Sequence, residues 1–126
     1  MSLTNEFETR TLQWLFTTGS PTRPTNWYVG LFTAAPDDTG GGTEISGNAY
    51  ARESVTFTVS GNEATNDAAL EWATATGSWG TITHVAVFDA STSGNMIAYA
   101  SLTASKVIET GDVFRIPAGD LDITLD

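Results

Sequence analysis

The 126-residue chain contains no cysteine, a single histidine (His84) and a single lysine (Lys106). Without cysteine there are no disulfide staples, no thiol nucleophile and no thiolate metal site. Lys and Arg together number five against fifteen Asp and Glu, giving a formal charge of −10. So acidic a chain lacks the basic face that nucleic acid requires, and it is repelled by an anionic membrane surface. Nothing approaches the eighteen or so consecutive apolar residues of a membrane-spanning helix. The first residues, Met1-Ser-Leu-Thr-Asn-Glu-Phe-Glu, show neither the basic region nor the apolar run of a secretory signal, so the expectation is a protein made without export.

What is abundant is threonine, with 21 residues, beside 12 glycines. The stiff branched β-carbon of Thr suits a pleated strand while its hydroxyl stays wet, and Gly supplies turns. With 40% hydrophobic residues the chain can bury a core, and its length suits a single domain over 1–126. The expected fold is all-β, an antiparallel β-sandwich or barrel of about seven to eight strands over 26–126, preceded by an N-terminal α-helix within 1–18.

For the helix, Asn5 followed by Glu8 reads as an N-cap with its reciprocal partner, and Glu6 and Glu8 suit the positive end of the dipole. Phe7, Thr11, Trp14 and Leu15 recur at helical spacing, and Leu12 and Phe16 widen the stripe. Gly19-Ser-Pro-Thr-Arg-Pro24 ends it. Such a stripe needs a surface to cover, and the expectation is that the helix closes the domain's own sandwich. Replacing Trp14 by Ala should then cost about 3–5 kcal/mol.

From Asn26 the period changes to two. Residues 26–34 read as a central strand, 51–60 as an alternating strand with Val55, Phe57 and Val59 on one face, and Leu70 and Trp72 as a short one. Thr81 to Phe88 and Met96 to Thr103 form a hairpin around the loop 89–95. Val113 to Ile116 and Leu121 to Leu125 complete the set. In the last strand Leu121, Ile123 and Leu125 are expected inward, with Asp122, Thr124 and Asp126 outward. Between these strands Ala35 to Gly47 is a long glycine-rich excursion of the kind that carries function or lacks order.

Catalytic patterns are weak. His84 sits within a strand whose neighbours offer no triad order, which favours a plain sheet residue over a general base or metal ligand. Asp37-Asp38 beside Gly40, Gly41 and Gly42 lacks the spacing of a calcium loop, and no Lys-Ser/Thr follows to make those glycines a phosphate loop. Asp120 and Asp122 share the alternation of a strand, a pairing that would suit glycosidase carboxylates, yet outward acids more often protect a sheet edge. No enzyme, metal or other cofactor is expected. Trp14 and Trp27 read as packing residues. Trp72 and Trp79 read either as core or as exposed anchors, and with Tyr50 they could form the platform of a carbohydrate-binding sandwich.

The run Trp27-Tyr-Val-Gly-Leu-Phe-Thr-Ala-Ala-Pro-Asp-Asp-Thr-Gly-Gly-Gly-Thr-Glu-Ile-Ser-Gly, then Tyr50-Ala-Arg, Ala75-Thr-Gly-Ser-Trp-Gly-Thr-Ile-Thr-His-Val-Ala-Val-Phe-Asp, Ser105-Lys and Ala118-Gly-Asp-Leu resembles a family of small tailed-phage and prophage structural proteins. Members are commonly labelled tail fibre or minor structural proteins. The resemblance covers nearly the whole chain and implies a virion component assembled in the host cytoplasm, with no catalytic residues to carry over. Its compact, repeat-free length suits a capsid decoration (cement) protein as the first expectation, with a tail-fibre, tail-tip or baseplate component as the alternative. The implied partners are other virion proteins, the major capsid protein or tail proteins, and further copies of the chain, with a trimer expected. Candidate contact residues are Pro36, Asp37, Asp38, Gly40, Gly41 and Gly42 in the long excursion, with Trp72 and Trp79. The excursion is expected to gain order only on a neighbouring subunit, because ordering costs about 1–2 kcal/mol per residue.

Overall fold

The computed structural model describes residues 1–125 and is mostly strand, with one helix. Asp126, expected to face outward, lies outside the described residues. The elements run β1 (Ser2–Leu3), α1 (Asn5–Phe16), β2 (Trp27–Ala34), β3 (Thr43–Glu44), β4 (Glu53–Val55), β5 (Phe57–Ser60), β6 (Glu63–Asn66), β7 (Leu70–Glu71), β8 (Gly80–Phe88), β9 (Met96–Ile108), β10 (Arg115–Ile116) and β11 (Asp122–Thr124). All pairings are antiparallel. The principal sheet has the order β1-β9-β8-β2-β3, and β4 shares with β3 the outer edge of β2. A three-stranded sheet β11-β6-β5 and the pair β10-β7 supply the second layer. The result is a sandwich, and the sheets do not close into a barrel among the described residues.

The core lies between the layers. Val29 and Leu31 of β2 and Val85 and Val87 of β8 meet Leu70, Trp72, Phe114, Ile116 and Leu121 from the second layer. Residues 29–32 are all buried because β2 is covered on both faces, as its continuous apolar run suggests. The opposite face of the principal sheet carries a second, smaller cluster of Phe32, Ala86, Phe88 and Met96. Opposite the hairpin loop the β8–β9 register shifts between Val87 and Phe88. This irregularity lets the adjacent Ile97 and Ala98 both join the core.

Five expectations are corrected. The segment 51–60 is not one strand: β4 pairs β2 in the principal sheet, whereas β5 pairs β6 in the small one. The chain changes sheets at Thr56, and Val59 ends 72% exposed because the small sheet outruns the core. Similarly, in the last strand Leu121 is buried and Ile123 packs partly buried against the core as expected, but Leu125 is exposed. The helix starts at its apparent cap, Asn5, one residue earlier than expected. Thr4, not Asn5, is the N-cap, and its hydroxyl donates to the Met96 carbonyl at 2.7 Å instead of capping. The β9 strand thereby sets where α1 begins. Finally, the apolar stripe of α1 does not close the sandwich. Only Phe7 is buried, while Leu12, Trp14, Leu15 and Phe16 are 58, 69, 55 and 78% exposed. A tryptophan so exposed has no cavity to leave behind, so the destabilisation expected of Trp14→Ala does not follow.

Candidate functional site

The outer face of the principal sheet is where the candidate loop meets other elements. Phe32 of β2 and Phe88 of β8, four positions apart in register with Gly30 between them, stack with ring centroids 6.1 Å apart and planes 7° from parallel. Gly30 sits beside them because a side chain there would meet the Glu44 carboxylate at 2.8 Å and the Phe88 ring at 3.1 Å. Into this space projects an ion pair that no local spacing announces. Arg52 Nη2 and Nε donate to Glu44 Oε1 and Oε2 at 2.8 and 2.9 Å, a bidentate fork. The guanidinium carbon lies 3.4 Å from the Phe88 ring centroid. Arg52 Nη1 also donates to the carbonyls of Ala90 and Ser93, which fixes the β8–β9 hairpin loop.

Tyr50 completes the node. Its hydroxyl accepts from the Leu31 amide at 2.9 Å and donates to Glu44 Oε2 at 2.6 Å. It thereby fills the gap left on the β2 edge between β3 and β4. Burial, then the hydrogen bond to Glu44, pushes this phenol far above the ordinary tyrosine range, so it stays a donor at any working pH. Every donor group of Arg52 and both oxygens of Glu44 are engaged within the chain. The node therefore holds β3, β4, β2 and a hairpin loop together, and leaves no free acid or base for chemistry.

The excursion after β2 closes over this face. Asp37 and Gly40 exchange backbone hydrogen bonds at 2.7 and 2.9 Å, forming a tight turn. Asp37 Oδ1 accepts from both the amide and the hydroxyl of Thr39, which holds its carboxyl below the usual range. The Asp38 carbonyl receives the Asn5 amide at 2.9 Å, and its carboxylate receives the Tyr99 hydroxyl. That hydrogen bond raises the Tyr99 phenol. Gly40, Gly41 and Gly42 form one lip of a cavity of about 380 Å³ whose floor is Phe32, Phe88 and Met96, and whose walls include Glu6, Glu44, Arg52 and Asn95.

Of the expected contact residues, Gly40, Gly41 and Gly42 come together at one cavity rim, while Asp37 and Asp38 lie in the turn that carries them. Pro36 is buried beneath them and offers no contact surface. The excursion is also not waiting for a partner to gain order, because its turn, the Asn5 amide and Tyr99 tie it down. Trp72 and Trp79 lie in the core instead, 1% and 4% exposed. Trp72 meets Phe114 edge to face at 5.3 Å, and Trp79 meets Tyr50 at 5.5 Å while its indole N–H donates to the Asn48 carbonyl. Neither indole is free for a sugar or a partner, and the Trp72, Trp79 and Tyr50 platform is not built.

The remaining acid and base candidates do not converge. His84 Nδ1 shares a hydrogen bond with Thr83 Oγ1 at 2.8 Å. Asp120 lies in the turn after Pro117, while Asp122 is in β11 with its Oδ1 held by the Thr65 hydroxyl. Among the described residues no three His, Asp or Glu side chains are grouped to hold a metal ion. The cavity can receive a small group with one apolar face and polar edges, and nothing in it assembles a nucleophile with a base.

Glu44 and Arg52 were not among the sequence-derived candidates, and Tyr50 was one only for a sugar platform. Their one signal is that Arg52 is one of only five cations, placed next to a strand that must be half-buried.

With the fold laid out, comparison with protein families is decisive. A family model described as podophage GP4 fiber I protein gp80 matches residues 2–124. The chain belongs to this phage fibre family. The match begins at β1 and runs to the end of β11, so it takes in the helix, both layers and the cavity rim. Membership makes the chain a phage virion structural protein, found in the particle with other virion proteins. No helix is long and apolar enough to cross a membrane among the described residues. No protein of established function matches the chain closely enough to stand as a relative.

Proposed function

We propose that the chain is a non-catalytic building domain of the virion's fibre apparatus, and not a cement protein of the capsid. The observation that carries this reading is the fibre-family match over residues 2–124, which includes every element of the fold. The outer-face node supports it, since Arg52, Glu44 and Tyr50 rigidify strand edges and hairpin loops without leaving a reactive group. A rigid acidic domain with a hydroxyl-rich surface suits an external appendage that must stay soluble at high copy number. Antibody raised against the isolated protein and detected by gold labelling of intact particles checks the location. Label on the fibres is expected; label spread over the head surface would return the chain to a decoration role.

A further inference from the structure

The corrected position of α1 leaves an apolar surface without an owner. Leu12, Trp14, Leu15 and Phe16, four large apolar side chains within five residues, all stand more than half exposed. Beside them Phe7, Thr11, Trp14, Pro21 and Pro24 line a groove of about 510 Å³ between α1 and the following segment. The groove is a built feature: Arg10 donates to the Thr22 carbonyl at 3.0 Å and to Glu6, and its guanidinium lies over the Phe7 ring. Exposed apolar clusters of this kind mark interaction sites on otherwise soluble domains.

Charge indicates what covers it. Residues 9–36 contain no Asp or Glu and two of the five cations, Arg10 and Arg23. All fifteen acids lie elsewhere with only three cations among them. Arg23 is exposed and makes no ion pair among the described residues. Glu6 already pairs with Arg10 and Glu8 stands exposed on the first turn, so the helix face is an apolar surface with one cation unpaired among the described residues, Arg23, at its edge, on an otherwise acidic molecule. The small sheet β11-β6-β5 is the matching surface. It has no Lys or Arg, carries Glu63 and Asp122, and exposes Val59 and Leu125 at its hairpin end, where Leu125 and Asn62 exchange hydrogen bonds at 2.9 Å.

We propose that the exposed face of α1 and the Gly19–Pro24 segment seats the acidic hairpin end of β5 and β6 from a second copy of this chain. Two-fold pairing of helix faces would leave Glu63 and Val59 unused, whereas helix-to-sheet pairing sets Arg23 against Glu63 and Trp14 against Val59. The two surfaces differ, so the contact is head-to-tail. It closes into a ring or runs on as a line of subunits, according to the rotation between copies. This association is a property of the isolated chain and stands whether the chain sits on a fibre or elsewhere in the particle.

Sedimentation equilibrium on the full-length protein tests it. Concentration-dependent association is expected. Trp14→Ser with Phe16→Ser should weaken it by about tenfold or more, the scale of losing a central aromatic anchor, and leave the thermal midpoint of the dilute, dissociated chain unchanged because both side chains are exposed there. Arg23→Glu and Glu63→Lys should each weaken it when introduced alone. Mixing the two variants should restore it in one-to-one complexes, since each then offers one unaltered or swapped match. A chain that stays monomeric at all concentrations would overturn the proposal, as would association indifferent to Trp14 and Phe16, or charge variants that mixing does not rescue. Retention of the helix face only by a different virion protein would overturn it equally.

Discussion

Trp14 and Trp72 show how far one residue type can differ in consequence. Trp72 is enclosed between Phe114 and the core, and its indole N–H finds no acceptor among the described residues. That unpaired donor costs stability, but the ring area buried outweighs it. Trp72→Ala should therefore destabilise the domain by about 3–5 kcal/mol in urea unfolding. Trp72→Phe should cost less, because it removes the unsatisfied N–H while keeping much of the ring. Trp14→Ala should change stability by no more than about 0.5 kcal/mol, as at an exposed site away from special features. A comparable loss from Trp14 and Trp72 would mean that the helix face is covered within the chain after all. The sequence could not separate these cases: helical spacing says that Trp14 shares a stripe with Phe7, Leu15 and Thr11, but not how much of the stripe the sheet can reach. Arg52, Glu44 and Tyr50 were hidden for the opposite reason, since residues eight and six apart on a chain that turns back on itself share no period.

At the level of elements, the long strands were legible and the switches between sheets were not. β2 and β8 pack on both faces, so their apolar runs are unmistakable, and the 89–95 and 109–112 turns are marked by glycine and Asp or Asn. The alternation from Ala51 to Ser60 continues unbroken across Thr56, yet the backbone pairs with β2 before that residue and with β6 after it. A period of two records which face a side chain takes, not which sheet the strand has joined. β6 escaped notice because Ala64 is its one apolar residue. The glycine-rich excursion misled in another way: glycine there serves specified geometry instead of freedom. Gly42 has φ +76°, and an added Cβ would lie 2.8 Å from the Ala34 carbonyl oxygen and the Pro36 nitrogen. Gly40 also has positive φ, +101°, but faces open space. Gly42→Ala should therefore lower stability well beyond Gly40→Ala, with the left-handed strain of about 1–3 kcal/mol in both and the clash added only at Gly42. Thermal unfolding of the two variants checks the order. Equal effects would show a lip that gives way freely, contrary to the Asp37–Gly40 turn and the Asp38 contacts that fasten it.

Across the whole molecule, charge is the property the composition states most plainly and places least. The net value of −10 argues against nucleic acid as a partner, but only the fold shows Glu63 and Asp122 on a small sheet free of Lys and Arg, and the exposed apolar residues of α1 gathered near Arg23. Self-repulsion of this kind opposes the compact state and is eased by protonation. Glu53 gives that trend a local source. It lies on β4 against Val29, and its burial raises its carboxyl above the ordinary value. A carboxyl whose pKa is higher folded than unfolded binds its proton more tightly in the native state, so its contribution is fully present below the unfolded value and is lost as pH rises through the folded one. At neutral pH ionised Glu53 thus weighs against folding. Glu53→Gln should raise the thermal midpoint at pH 7, and the gain should shrink as the pH falls through the carboxylate range and vanish once Glu53 is protonated in both states. Asp37 runs the other way: its carboxyl is lowered by the Thr39 hydroxyl and amide, so its contribution is present above the ordinary value and fades only in stronger acid. Thermal midpoints of the native chain and Glu53→Gln, taken across that range, should converge toward acid and separate toward neutrality. Curves that stay parallel would assign the pH dependence to the summed surface charge and remove Glu53 from it.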